Sequence, residues 1–222
     1  MASSGQARAA SSADQQPLNR RQQQAEQTRQ AIIRAAWTLF VERGYTRTTM
    51  EAIARAAKVS VASVYLIFGT KQQLLAVVRH TWFTDVELGA LIKQALAEPD
   101  PRQRLRIWVA WMRRAMETGA DLAVAIDEAT RTEPAVAQLW DTHRAAAENT
   151  LRNVLRGTEH ALAAGISLDS AVAIVWALSR ASVYLEFIHW GWSADRYERW
   201  LTETLFQQLF GARDVLPGAD GR

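Results

Sequence analysis

The chain has no cysteine among its 222 residues, which excludes a disulfide framework and any Cys-ligated zinc. That absence suits a reducing compartment, and a cytoplasmic location is the expectation. The longest uninterrupted apolar run, Ala171 to Leu178, falls far short of the roughly 20 residues a membrane-spanning helix needs. No segment sustains the alternation of apolar and polar residues that marks a strand, so an all-α protein is expected. The four histidines, His80, His143, His160 and His189, are too scattered for a helical metal pair. Neither a nucleophile elbow nor a phosphate-cradling glycine loop is present. We therefore expect no catalytic residue, no metal and no cofactor, and an enzyme is not the expected class.

What the sequence does contain is an uneven distribution of charge. Residues 1–80 hold 11 Lys and Arg against 4 Asp and Glu, whereas the remainder holds 15 against 19. The basic end is the candidate nucleic-acid surface. Residues 1–24 are rich in Ala, Ser and Gln and lack the apolar side chains that repay ordering, so a basic disordered tail is expected there. A second flexible tail is expected over 213–222.

Helical spacing begins at Thr28, with Ile32, Ile33, Ala36, Leu39 and Phe40 on one face and a stop at Gly44. Thr48 and Glu51 read as a capping box opening a second helix, about Thr49 to Ala57. Ser60 reads as the cap of a third, with Val59 and Val64 as a hydrophobic staple, ending near Phe68 and Gly69. Thr70 with Gln73 opens a fourth, expected to continue to about Ala97. Asp100 and Pro101 open a fifth, to about Thr118. Further helices are expected at Asp121 to Thr130, from Pro134 towards Gly165 with an interruption at Gly157, at Asp169 to His189, and at Ala194 to Phe210.

Three short helices joined by tight turns in a basic segment fit a helix-turn-helix whose third helix enters the major groove; a plain helical bundle is the alternative. The order Gly44-Tyr45, Thr48-Thr49, Ile53-Ala54, Val59-Ser60, Val64, then Tyr65-Leu66-Ile67-Phe68-Gly69-Thr70-Lys71, Leu74 and Leu75 resembles the TetR-like family of bacterial transcriptional regulators. The resemblance covers about 50 residues. It implies a helix-turn-helix DNA-binding domain over 25–80, followed by a larger helical ligand-binding and dimerisation domain over 81–212. Within it, Tyr65 and Lys71 are expected at backbone phosphate, as are Thr48 and Thr49 at the start of the second helix. Val61, Ala62, Ser63 and Leu66 are the expected base-facing positions behind the cap Ser60. The bidentate readers Arg, Asn and Gln are missing from this helix, so the operator sequence is not readable. Lys58 stands where the family usually places a turn glycine, and either strains the turn or reaches phosphate. Arg20, Arg21 and Arg29 form a candidate basic arm, or else part of a solvated tail.

Eight of the nine tryptophans lie beyond His80. Trp108 and Met112 share a helical face with Leu105 and Met116, and the family resemblance implies that Trp82 and Phe83 approach it from the fourth helix. Together with Trp111 these are candidate walls of a pocket for a small apolar or aromatic effector, or simply packed core. Asp127, Arg131 and His143 are candidate polar contacts. The last two helices, carrying residues such as Val172, Val175, Leu178, Leu185, Leu201, Leu205, Phe206 and Leu209, would by resemblance pair with a second copy; burial within one chain is the alternative. The resulting expectation is a homodimeric, ligand-responsive repressor released from a palindromic double-stranded DNA operator. The competing reading is a helical protein-binding module with weak or no DNA binding.

Overall fold

The computed structural model describes residues 20–83 and 86–211, the side chains of 86 and 87 excepted. Ten helices run through these residues in the order α1 (Arg20–Arg43), α2 (Met50–Ala57), α3 (Val61–Phe68), α4 (Lys71–Phe83), α5 (Val86–Ala97), α6 (Pro101–Thr132), α7 (Pro134–Val154), α8 (Leu168–Leu178), α9 (Ala181–His189) and α10 (Ala194–Phe210). No strand occurs among the described residues. The all-α expectation holds.

The first four helices close around Ile32, Ile33, Ala36, Leu39 and Phe40 of α1, which meet Ile53, Val64, Phe68, Leu74 and Leu75 in one buried cluster. Their ends are set by local chemistry. Ser60 Oγ accepts from Ser63 N at 3.0 Å. The Thr70–Gln73 box is reciprocal, with Thr70 N donating to Gln73 Oε1 at 2.8 Å and Gln73 N to Thr70 Oγ1 at 3.1 Å. The cap of α2 is Thr49, not Thr48: its hydroxyl accepts from Ala52 N at 3.2 Å, while Thr48 is fully buried and donates to Gly44 O and Leu39 O. Thr48 thus ties the end of α1 to the turn.

Several boundaries differ from the sequence reading. α1 begins at Arg20, because the Gln- and Arg-rich stretch before Thr28 has good helical propensity and side-chain bonds such as Gln30 Nε2 to Glu26 Oε1 at 2.7 Å. Residues 20–24, expected in the tail, form the first turns of this helix. Residues 1–19 and 212–222, where the rest of both expected tails falls, lie outside the described residues. α6 runs unbroken through Gly119, because that glycine serves packing: a Cβ there would lie 2.1 Å from Trp82 Cε2. The expected single helix over Asp169 to His189 is two, bent by 42°, where Ser179 Oγ donates back to Val175 O at 2.6 Å and Arg180 adopts an extended backbone. α7 stops at Val154, and Arg104 Nη1 donates to the carbonyl of Asn153 in its last turn and to that of Arg156 just beyond it.

The long α6 organises the larger domain, packing against α5, α7, α9 and α10. Val172, Val175, Leu201, Leu205, Phe206 and Leu209, expected at a partner surface, are buried in the chain's own core. Apolar residues that α8 to α10 leave partly exposed include Ile174, Leu178, Leu185, Ile188 and Trp200, and Trp190, just after α9, is 74% exposed.

Candidate nucleic-acid interface and ligand cavity

α3 buries Val64 and Phe68 and turns the opposite face outward. On that face Leu66 is 86% exposed, Tyr65 49% and Ile67 39%, with Ala62 also exposed. Apolar side chains of this size left uncovered side by side mark a contact surface. Val61 and Ser63 are half-buried, and the Ser63 hydroxyl is 2.7 Å from that of Ser60, so its bonding capacity is partly used. Ile67 was missed in the sequence reading, which credited only Leu66 beyond Tyr65; its place one residue further along the same exposed face was the available signal.

Lys58 is exposed and is the non-glycine residue with positive φ among those described, at φ 57° and ψ 42°. It closes α2 in the left-handed conformation usually given to glycine. Thr49 is exposed at the N-terminus of α2, where a hydroxyl and first-turn N–H groups can hold phosphate. Thr48 is not available for such a contact, for its hydroxyl is buried and occupied. Lys71 is also largely committed. Its Nζ donates to Tyr45 O and Thr48 O, both at 3.0 Å, and lies 4.2 Å from the centre of the Tyr45 ring. Burial pulls its pKa below the ordinary lysine value, partly opposed by Glu133, and Tyr45 is pushed up to about 12 by burial and by Glu133. Lys71 therefore holds the α1–α2 turn in place rather than standing ready for phosphate. Arg20, Arg21 and Arg29 are helical, not an extended arm, and Arg29 stacks 5.4 Å over Phe68.

The second feature is a cavity of about 300 Å³ in the larger domain. All seven sequence-predicted ligand residues, Trp82, Phe83, Trp108, Trp111, Met112, Asp127 and His143, line it. Pocket and core are not exclusive here: Trp82 and Trp108 are buried in the core cluster and also form cavity wall. Trp82 is fixed by Nε1 donating to Ala115 O at 2.9 Å and by an edge-on contact with Trp37 of α1. Trp140, Trp176, Arg79 and Arg180 also line it and were missed. Arg79 was readable, since it shares one α4 face with Leu75 and Phe83 at helical spacing. Arg131 is exposed and lies outside the cavity.

The polar groups of this cavity are of two kinds. Asp127 is ion-paired with Arg180. Arg79 Nε, Trp111 Nε1 and His143 Nε2 are buried without a hydrogen-bond partner. The Arg79 guanidinium rests on rings instead, 4.9 Å from the centre of Phe83 and 5.4 Å from that of Trp140, and burial pushes its pKa down to about 10. Burial, then the charges of Arg79 and His80, lower His143 below its ordinary value.

Cavity and helix-turn-helix touch through two seams. α4 begins at Lys71, on the α1–α2 turn, and carries Arg79, Trp82 and Phe83 into the cavity. The α6–α7 junction meets the first domain where the Thr46 and Thr132 hydroxyls lie 3.4 Å apart and Gln72 Nε2 donates to Ala135 O at 2.6 Å. No group of three or more His, Asp and Glu placed to hold a metal exists among the described residues.

Residues 32–78 match the family model described as bacterial regulatory proteins, tetR family. The transcriptional repressor NicS of Pseudomonas putida is 36% identical over 93 residues, which are 41% of this chain and 43% of that protein. The matched segment thus spans less than half the length of the curated relative. Over the whole fold, NalD of Pseudomonas aeruginosa, the secondary repressor of the MexAB-OprM multidrug efflux pump, superposes with a TM-score of 0.67 at 21% identity, covering 86% of this chain and 98% of NalD. The regulator FadR of Bacillus subtilis in complex with stearoyl-CoA gives 0.68 at 15% identity, over 81% and 98%. The N-terminal helices thus match the tetR family model, and the fold of the chain as a whole is similar to those of NalD and FadR.

Proposed function

We propose that this chain is a ligand-responsive transcriptional repressor that holds operator DNA through α3 and releases it when a small aromatic effector enters the cavity. The observation that carries the reading is the exposed face of α3, where Ala62, Tyr65, Leu66 and Ile67 stand outward behind a capped N-terminus. In the major groove, Ala62, Leu66 and Ile67 meet thymine methyls, while the Tyr65 hydroxyl and Lys58 meet phosphate. Thr49 adds a phosphate contact at the start of α2. The name of NicS and the description of NalD as repressors support the same reading. A cavity of about 300 Å³ suits a ligand far smaller than the stearoyl-CoA held by FadR.

Two copies are required to read a palindrome with half-sites about one helical turn apart. The partly exposed Ile174, Leu178, Leu185, Ile188, Trp190 and Trp200 supply an apolar face for the second copy. Effector binding shifts α4, whose far end fixes the α1–α2 turn through Lys71, and so alters the spacing of the two α3 helices. A bacterial regulator of this kind works on cytoplasmic DNA.

Fluorescence anisotropy on mixed-sequence duplex DNA tests the proposal. Affinity falls steeply with salt, and Lys58→Ala lowers the slope by about one counterion. The apolar character of α3 favours one competing reading, a protein-binding module, and an absence of salt-dependent affinity would overturn the repressor reading in its favour.

A further inference from the structure

The cavity holds hydrogen-bonding groups that nothing in the protein satisfies. Three polar atoms from three helices, Arg79 Nε of α4, Trp111 Nε1 of α6 and His143 Nε2 of α7, line it without partners. Buried donors are normally satisfied, and a set left open in one cavity marks what is missing from it. Arg79 forms no ion pair among the described residues, whereas the cavity's one carboxylate, Asp127, is already neutralised by Arg180. The uncompensated charge of the cavity is therefore a single positive one. An amine would meet Arg79 with no acid to receive it, and a neutral ring would leave the guanidinium unpaired.

Resting on the reading of the cavity as the effector site, we propose that the effector is a small aromatic carboxylate whose two oxygens accept from Arg79 and Trp111, with its ring between the tryptophans. A carboxylate offers about four lone-pair positions, enough for Arg79, the indole N–H and His143 together. One charge answers one charge. The walls supply the rest: Trp82, Phe83, Trp108, Trp140 and Trp176 surround the volume, and about 300 Å³ lies at the small end of ligand pockets. The size suits a one- or two-ring acid. Arg79 is also the placement that makes such a ligand informative, since the anion pulls on α4, the helix that begins against the α1–α2 turn.

The test is calorimetric titration of the full chain, without DNA, against benzoate, phenylacetate and indole-3-acetate, each beside its primary amide, and against benzylamine and tryptamine. The tightest ligand of the panel should be a carboxylate, bound at least about tenfold more tightly than its amide, as expected for a charge-assisted contact. Arg79→Met should weaken that acid by about tenfold or more and leave the amide within about threefold. Trp111→Phe, which removes the N–H and leaves a smaller aromatic ring, should weaken the acid about fivefold. Circular dichroism establishes that each variant is folded, and Trp111→Phe carries the test if Arg79→Met is not. The proposal is overturned if an amide or amine binds as tightly as its acid, if folded variants retain full acid affinity, or if no acid of the panel binds at about 5 mM. Because no DNA is present, these outcomes are independent of operator binding: a chain that binds the acid but no DNA refutes the repressor reading alone.

Discussion

Replacing Arg79 by methionine should raise the stability of the protein while removing its anion site. Burial lowers the guanidinium from its ordinary value to about 10. At about 1.4 kcal/mol per pH unit, keeping the charge there costs about 3 kcal/mol. Against that stand the two ring contacts, with Phe83 and Trp140, together worth about 1–2 kcal/mol. Methionine reaches nearly as far, and its sulfur recovers part of the aromatic contact. The net gain is about 1–2 kcal/mol, or about 3–6 °C in Tm for a chain of this length. Thermal unfolding at pH 7, followed by circular dichroism in a buffer without carboxylate or phosphate anions, measures it directly. A Tm lowered by more than about 2 °C would refute the reasoning, because it would mean that Arg79 is held by contacts worth more than its desolvation. A gain in stability coupled to lost ligand binding is the pattern expected where a site holds an unsatisfied charge for function.

Three further outcomes follow from particular residues. Lys58→Gly relieves a left-handed backbone at φ 57°, so thermal unfolding should show a gain of about 0.5–1 kcal/mol; unchanged or lower stability would show that the turn carries no strain. Gly119→Ala gains about 1 kcal/mol of helix propensity but places a Cβ 2.1 Å from Trp82 Cε2. A net loss of about 1–2 kcal/mol with a shifted tryptophan emission is expected, and wild-type stability would contradict that packing. For His143, burial and the charges of Arg79 and His80 place the folded pKa below the ordinary 6.5. The unfolded chain then binds the proton first, so stability should fall as pH drops through and below about 6.5, and His143→Gln should flatten that dependence in denaturant titrations.

The parts legible in the sequence were those written in local chemistry. Ser60 and the Thr70–Gln73 box are caps in which one side chain meets one nearby N–H, and such signals survive without knowledge of the fold. Trp108 and Met112 were read as pocket wall from helical spacing and Trp82 and Phe83 from the family resemblance, and all four line one cavity. What escaped depends on long-range contacts. Thr48 and Thr49 are alike in sequence, and only the burial of Thr48 against the Leu39 and Gly44 carbonyls separates an anchor from a cap. Lys71 looked like a phosphate ligand until the Tyr45 and Thr48 carbonyls were seen around its ammonium. The break expected between Thr118 and Asp121 does not occur, since nothing local shows that Trp82 packs over the intervening Gly119. Arg79 was passed over as one more charge in a basic segment, although its spacing from Leu75 and Phe83 already placed it on an inward face.

Selection of binding sites from random duplex DNA with the purified full chain, at low and at near-physiological salt, tests the central claim most directly. The account predicts enrichment of a palindrome with half-sites about one helical turn apart, lost when Leu66→Glu sets a negative charge on the exposed face of α3. No enrichment at low salt, or enrichment that the Leu66→Glu protein retains in full, would contradict it.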